Sequence, residues 1–412
     1  VTVHYRGDGV ELHHGDCLDV LATLADNSID AVVTDPPYGR NFMGKHWDTG
    51  AVAFNPDTWR HCLRVLKPGG HLAAFGGTRT WHRLACAIED AGFEIRDSIA
   101  WLYGSGFPKS LDVSKAFDRA AGELAPESVQ FTVAGYSHAP DKFLHTAPSK
   151  GYIPPQPVTD AAKQWQGWGT ALKPAHEPIV IARKPLQGTV AANVLAHGTG
   201  ALNIDACRVQ YQSDADRDQT RVPNPVQHND GHAVYQMGTG EGRNGEVFKP
   251  AAAGRWPTNV VLDETRATEL DKQSGTLTSG NRKAGDRILV GYMGADAAPM
   301  PAITGDSGGA SRFFPTFKYH PKAPATERPN HNNTSHPTVK PVDLIAWLIR
   351  LVTPPGGTVL DPFAGTGTTG EAAIKEHKHA ILIEREDTYL PLIVARLSKP
   401  MAIGFDFDEE SA

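Results

Sequence analysis

One stretch limits the possible fold more than any other. Val359-Leu360-Asp361-Pro362-Phe363-Ala364-Gly365-Thr366-Gly367-Thr368-Thr369 is followed by Ala380-Ile381-Leu382-Ile383-Glu384. An apolar strand enters a glycine turn, the turn opens a helix, and the next strand ends on a carboxylate. Glycine permits positive φ and lets a ligand approach the backbone. The helix start offers free N–H groups to a polar or anionic group. A carboxylate about 20 residues after such a turn is how α/β folds grip the ribose of an adenosine-containing cofactor. The Gly-x-Gly pair alone is weak. A tight turn followed by a surface Glu remains the plain alternative.

The rest of the chain decides what surrounds this unit. Over residues 1–103, strand-like and helix-like segments alternate: strands at 10–13, 31–34, 71–75 and 93–103, helices at 17–24, 59–66 and 81–91. Lys67-Pro68-Gly69-Gly70 reads as a helix stop. The pattern returns over 336–400, with helices at 342–352, 368–376 and 389–397 and strands at 358–360 and 380–383. Alternation of this kind argues for a parallel α/β sheet. Between the two blocks, about 104–335 is rich in Gly, Pro, Asn, Asp and His, with strand candidates only at 178–182, 259–262, 287–290 and 313–319. A compact fold does not carry such a length as a plain connection, so this block is either disordered or a specialised recognition region. Trp165, Trp168, Phe248, Trp256, Phe313 and Phe314 favour at least partial folding.

Composition excludes some classes. Hydrophobic residues are 40% of the 412 and charged residues 21%, an ordinary globular balance. No apolar run is long enough to span a membrane, and the first eight residues hold no signal-peptide core. Val1 where Met is expected points to a GTG start codon or a trimmed terminus. The four cysteines, Cys17, Cys62, Cys86 and Cys207, are widely spaced. They read as small buried hydrophobes in a reduced, cytoplasmic protein without zinc. The net charge of −6 is an end effect: residues 1–30 carry −5 and the tail 401–412 carries −4, which leaves +3 for 31–400. A polyanionic partner is therefore not excluded.

A second motif carries chemistry. Val32-Val33-Thr34 leads into Asp35-Pro36-Pro37-Tyr38-Gly39. The prolines lack N–H donors and stiffen the turn, which fixes Asp35 relative to Tyr38. Asp35 and a backbone carbonyl can accept the two N–H groups of a planar amine while Tyr38 stacks on its ring. A proline-rich strand exit is the plain alternative.

Together, Asp35–Tyr38 and Asp361–Thr369 resemble the S-adenosylmethionine-dependent amino-methyltransferases of DNA. The order, with the Asp35 motif first, resembles their circularly permuted β class. His336-Pro337-Thr338-Val339-Lys340-Pro341 resembles the segment that touches the methionine end of the cofactor. Residues 10–16, ending in Gly15-Asp16, resemble the strand whose acidic end lies near the adenine. The resemblance covers about 1–103, 176–185 and 336–397.

It implies a Rossmann-like, seven-stranded α/β sheet that begins here at its third strand. The segments at 31–34, 71–75, 93–103 and 178–182 would be the fourth to seventh strands, and those at 358–360 and 380–383 the first and second. It implies S-adenosyl-L-methionine held by Asp16, Thr338, Lys340, Asp361, Pro362, Phe363, Ala364, Gly365, Thr366, Gly367, Thr368, Thr369 and Glu384. The catalytic set would be Asp35, Pro36, Pro37 and Tyr38, acting on a base flipped out of double-stranded DNA. Asp at the motif's first position favours N6 of adenine, with N4 of cytosine as the alternative. Methylation of RNA or of a protein amide is a more distant rival, and a non-enzymatic cofactor-binding module another.

The recognition region implied is 186–335, with 104–175 inserted near the base pocket and 176–185 as a sheet strand. Residues 186–335 hold 15 basic and 15 acidic side chains, so this is not a basic patch. Candidate DNA contacts are Arg40, Lys45, Lys109, Arg243, Arg255, Arg282 and Lys283, with Lys249, Arg312 and Lys318 beside them. Each also reads as a solvated surface charge. Gly198–Asp205 and Gly254–Asn259 more loosely resemble phage and mobile-element methylases, which implies a bacterial nucleoid or a phage-infected cell. The resemblance admits a homodimer and a cognate restriction endonuclease as partners, and no membrane.

Overall fold

The computed structural model describes residues 2–39, 52–104, 106, 110–123, 129–139, 142–153, 156–219, 254–278, 280–281, 283, 305, 307–317 and 339–399. Two compact units form: residues 1–104 with 176–412, and residues 105–175.

The larger unit opens with β1 (Thr2–Gly7) and β2 (Val10–His14), an antiparallel hairpin turning at Asp8 and Gly9, both with positive φ. Then come α1 (Cys17–Thr23), β3 (Ile29–Thr34), α2 (Pro56–Val65), β4 (Leu66–Phe75), α3 (Trp81–Asp90) and β5 (Glu94–Leu102). Two of these helices start on a side-chain cap. The Asp16 side chain caps α1 through the Leu18 N–H, and Asn55 caps α2 just before Pro56 at the first turn.

The smaller unit holds α4 (Val113–Ala120), the hairpin β6 (Val129–Ala139) and β7 (Lys142–Ile153), and α5 (Asp160–Gln164). Buried Asp118 of α4 accepts from the Thr159 N–H at 2.9 Å and the Val158 N–H at 3.1 Å, tying α4 to the start of α5.

The larger unit resumes with β8 (His176–Arg183), α6 (Val190–His197), α7 (Asp214–Gln219), β9 (Val260–Asp263), α8 (Glu264–Ser274), β10 (Leu277–Thr278), β11 (Ser307–Gly308) and β12 (Thr316–Phe317). It closes with α9 (Val342–Val352), β13 (Thr358–Asp361), α10 (Thr368–Lys375), β14 (His379–Glu384) and α11 (Leu390–Leu397).

Among the described residues, ten strands join one sheet in the order β1-β2-β14-β13-β3-β4-β8-β5-β9-β12. Strands β2, β14, β13, β3 and β4 run parallel, so their carboxyl ends share one edge. Strand β8 is antiparallel to both neighbours, β4 and β5. The middle strands are buried on both faces, as a sheet covered by helices requires. One face packs against α9, α10 and α11 through Leu344, Leu348, Ala372 and Ile393, and the other against α1, α2 and α3 through Leu21, Trp59, Cys62 and Ile88. The fold is α/β, with the seven strands from β2 to β5 forming the expected methyltransferase sheet.

Several expectations change. Strand β4 begins at Leu66 and runs through Lys67-Pro68-Gly69-Gly70, which the sequence reads as a helix stop only. The first residues of the region expected to serve recognition, 186–335, pack on the sheet unit. Asn193 of α6 donates to the Pro68 carbonyl at 2.9 Å and Asn203 N–H to the Leu351 carbonyl at 2.9 Å. Further on, β9 and β12 extend the sheet beyond β5. The strand expected over 313–319 is only β12, preceded by a short 3-10 turn at Ala310–Phe313. The strand expected at 287–290 lies outside the described residues. Cys86 is exposed on α3, whereas Cys17, Cys62 and Cys207 are buried as expected. No helix among the described residues is long and apolar enough to cross a membrane. No group of His, Cys, Asp or Glu among them could hold a metal ion.

Candidate active site

The carboxyl edge of the parallel strands gathers the acidic residues that the sequence singles out. Asp16 follows β2, Glu384 ends β14, Asp361 ends β13, and Asp35 follows β3. Open α/β sheets bind ligands at such an edge.

Asp361 is buried and anchors the glycine turn. Its Oδ1 accepts from Thr34 Oγ1 at 2.6 Å and from the Phe363 N–H at 3.0 Å, and its Oδ2 from Thr369 Oγ1 at 2.6 Å. Burial pushes its carboxyl up to about 6, and these hydrogen bonds hold it from rising further. Gly365 and Gly367 take positive φ, 56° and 75°, and Gly367 caps α10. A Cβ on Gly367 would stand 2.7 Å from Ile393 Cγ2, so the turn also needs glycine for space. Pro362, Ala364, Thr366, Thr368 and Thr369 are buried beneath the turn, and Phe363 is half-buried.

Glu384 faces that turn. Its Oε2 accepts from the Gly365 N–H and its Oε1 from the Glu386 N–H, each at 2.8 Å. Burial raises its carboxyl to about 7, against the backbone hydrogen bonds that lower it. A carboxylate offers about four acceptor positions. Backbone N–H groups do not fill all of them, which leaves capacity beside the turn for a hydroxyl donor. Asp16 is half-buried, spending one oxygen on the Leu18 N–H at 2.9 Å.

The Asp35 motif forms the second half. Asp35 is about a quarter exposed. Pro36 is buried, and Pro37 and Tyr38 are half-buried. The Tyr38 hydroxyl lies 2.9 Å from Asp35 Oδ1 and 3.1 Å from Glu177 Oε2, so its one proton serves either carboxylate. Burial, then the two carboxylates, drive its phenol well above the ordinary range, so it stays a neutral donor. Lys340 enters from the start of α9. Its Nζ is 2.5 Å from Asp35 Oδ2, 3.4 Å from Glu177 Oε2 and 3.3 Å from Tyr38 Oη. It also lies over the rings of Phe75 and Tyr38. Burial would lower this ammonium, but Asp35 and Glu177 outweigh it and the net shift is upward.

Sequence reasoning expects Lys340 at the cofactor's methionine end and gives Glu177 no role. In the structure Lys340 is paired with Asp35. Glu177 reaches the same edge because β8 runs antiparallel, so its first residues, not its last, stand there. The chemical signal was a carboxylate at the mouth of an otherwise apolar strand, His176-Glu177-Pro178-Ile179-Val180-Ile181.

The DNA-contact candidates fare differently. Arg255 is largely buried, with Nη1 2.8 Å from Asp216 Oδ2 and its Nη2 also on that carboxylate. Its guanidinium stacks on Tyr211 and Phe313. Arg312 is buried on the same Asp216, Nε to Oδ1 3.5 Å. Both guanidinium groups thus meet the same buried carboxylate. Lys283 is exposed. Thr338, Arg40, Lys45, Lys109, Arg243, Lys249, Arg282 and Lys318 lie outside the described residues.

Known proteins resemble this chain. The type II methyltransferase M.HindIII of Haemophilus influenzae is 22% identical over 234 residues, 47% of this chain and 64% of that protein. The type II methyltransferase M.HpaI of Haemophilus parainfluenzae is 30% identical over 112 residues, 25% of this chain and 35% of that protein. The chain thus spans less than two thirds of the curated relatives it matches. Among solved structures, the M1.HpyAVI–SAM complex aligns with 95% of this chain and 100% of its own, at 15% identity and TM-score 0.40. The PvuII DNA methyltransferase (cytosine-N4-specific) aligns with 97% and 91%, at 13% identity and TM-score 0.43. The model of the DNA methylase family N6_N4_Mtase matches residues 29–395, most of the chain, and the protein belongs to that family.

Proposed function

We propose that this protein is a site-specific DNA methyltransferase of the permuted β class, which moves a methyl group from S-adenosyl-L-methionine to N6 of adenine in double-stranded DNA. One observation carries the reading. The Asp35–Tyr38 cluster and the Asp361–Glu384 turn are neighbours on one sheet edge, joined through the 2.6 Å hydrogen bond from Thr34 to Asp361. An amine acceptor beside a nucleoside cradle is what amino-methylation needs.

The residues fit the cofactor. Glu384 keeps acceptor capacity for ribose hydroxyls, Asp16 stands on the neighbouring strand end, and the turn at Gly365 brings backbone close. When bound, S-adenosylmethionine supplies an electrophilic sulfonium methyl. Tyr38 stacks the flipped base. Asp35 and the Pro36 carbonyl accept the amine's N–H groups and aim its lone pair at the methyl carbon. With the cofactor bound, its methyl would pass to the amine nitrogen with the thioether as leaving group, and the proton the nitrogen sheds would have Asp35 as its first acceptor. Positioning and fixed charge supply the acceleration.

The test combines labelled S-adenosylmethionine with duplex DNA, RNA and protein. Label in DNA alone is expected, and label only in RNA or protein overturns the reading. Digestion to nucleosides should then give N6-methyladenosine in its deoxy form. The N4-methylated cytidine counterpart would move the substrate to cytosine, the alternative that the family also includes.

Glu384 gives a pH prediction. Its carboxyl titrates near 7 in the folded chain against an ordinary 4.5, so the folded state holds the extra proton between those values. Its contribution to stability therefore falls as pH rises from about 4.5 to 7. Ribose hydroxyls prefer the ionised form. Cofactor affinity should rise roughly tenfold between pH 6 and pH 8, with proton release on binding. Calorimetry in two buffers measures both, and Glu384→Gln should bind weakly with a flat profile. A wild-type affinity independent of pH would show that Glu384 does not face the ribose.

A further inference from the structure

Asp35 is already engaged in the structure. Its Oδ2 faces the Lys340 ammonium at 2.5 Å, and its Oδ1 lies 2.9 Å from the Tyr38 hydroxyl. An arriving amine must compete with a full positive charge for the carboxylate that is to receive it. A buried ammonium cannot simply be released, because losing its partner costs far more than a surface charge would. It needs a second acceptor within reach.

Glu177 is that acceptor. Its Oε2 stands 3.4 Å from Lys340 Nζ, less than an ångström farther than Asp35, and 3.1 Å from the Tyr38 hydroxyl. Both Glu177 and Asp35 are partly exposed, 21% and 27%, while Lys340 is only 9% exposed. The cluster holds two carboxylates, one ammonium and one neutral phenol. Shifting the ammonium from Asp35 to Glu177 leaves Lys340 paired and opens Oδ2 of Asp35. The Tyr38 hydroxyl can follow by turning its single proton to Glu177.

We propose that Glu177 is a positioning residue for the reaction: it draws the Lys340 ammonium off Asp35 when the target amine enters, so that Asp35 is free to accept the amine's protons. This rests on the amino-methyltransferase reading above. Lys340 then serves as a placeholder that keeps Asp35 paired between turnovers, and Glu177 decides how readily the place is given up.

The test is a cycle of Glu177→Gln and Lys340→Met, with kcat/KM for DNA measured at saturating cofactor and cofactor binding followed by calorimetry. The Gln side chain cannot hold an ammonium as a carboxylate does. Glu177→Gln should lower kcat/KM roughly tenfold to a hundredfold, with cofactor affinity unchanged. Glu177→Asp, which keeps the charge, should stay within about fivefold of wild type. Removing the ammonium should relieve the defect: the double variant should be at least about fivefold faster than Glu177→Gln. In the Lys340→Met background, Glu177→Gln should cost less than about twofold. That comparison holds even if Glu177→Gln alone folds poorly. A residue that merely braces β8 would give additive losses. Label transfer by the unaltered chain together with additive losses overturns the proposal alone. No label in DNA from the unaltered chain overturns the methyltransferase reading, and the proposal with it.

Discussion

Asp35→Ala is expected to lower the rate of methyl transfer at least about a thousandfold while leaving cofactor binding within about twofold. The two effects separate because the residues separate. The cradle is built on Asp361, Gly365 and Glu384, whose hydrogen bonds do not involve Asp35. The fold should survive as well. Without Asp35, Lys340 still has Glu177 at 3.4 Å, so no buried ammonium is stranded. Single-turnover transfer of labelled methyl to DNA measures the rate, and calorimetry measures the cofactor. A variant that methylates at near wild-type rate would show that Asp35 is not the amine acceptor. A variant that loses the cofactor instead would place Asp35 in the cradle.

Asp216→Ala should be the most destabilising single change outside the site, at roughly 3–5 kcal/mol. Asp216 is 1% exposed and receives both Arg255 and Arg312. Its Oδ2 also accepts the Gln212 N–H at 3.0 Å. Removing it takes a buried carboxylate away from two guanidinium groups that pack against Tyr211 and Phe313. Chemical denaturation monitored by tryptophan fluorescence reads the loss. The same experiment separates a structural role from a nucleic-acid one. Arg255→Ala should also lower stability, and should leave the salt dependence of DNA binding unchanged. A reduced salt slope with full stability would restore Arg255 as a phosphate contact.

The strands of the catalytic sheet were legible because their chemistry is local. Residues 31–34 and 358–360 are short apolar runs bounded by turn residues, and they fold as β3 and β13 with one partner on each side. The glycine turn and Glu384 were legible for the same reason: the spacing itself encodes a strand, a turn and a strand end. What stayed hidden depends on neighbours far away in the chain. β1 is a mostly exposed edge strand whose short alternation of Val3 and Tyr5 with polar residues is broken by a bulge and by the glycines at its end, so little marks it in the sequence. Within β4, Lys67-Pro68-Gly69-Gly70 keep a local irregularity, with Gly69 at positive φ, between the β3 register pairs at Leu66 and His71; the strand continues across them only because both flanks pair with β3. β9 is a four-residue strand whose place beside β5 is set by pairing across more than 150 residues. Glu177 was missed because its meaning depends on the direction of β8, which no local pattern states. The burial of Arg255 is not legible because a cation in a glycine- and proline-rich stretch looks solvated until its buried carboxylate partner is known.

The central strand has a consequence for how this chain comes to be folded. β2 and β3 are consecutive in sequence, yet β14 and β13 lie between them in the sheet. While the chain is being made, its first hundred residues carry a split sheet with two unpaired inner edges. That gap closes only when residues 358–384 emerge, and the contact that completes it, Thr34 to Asp361, spans 327 positions. Such pairings are slow, since a long loop must be closed before they return any stabilisation. Of the strands in this sheet, β13 and β14 are made after the others and join its two halves, and chains stopped short of them would present bare strand edges prone to aggregation.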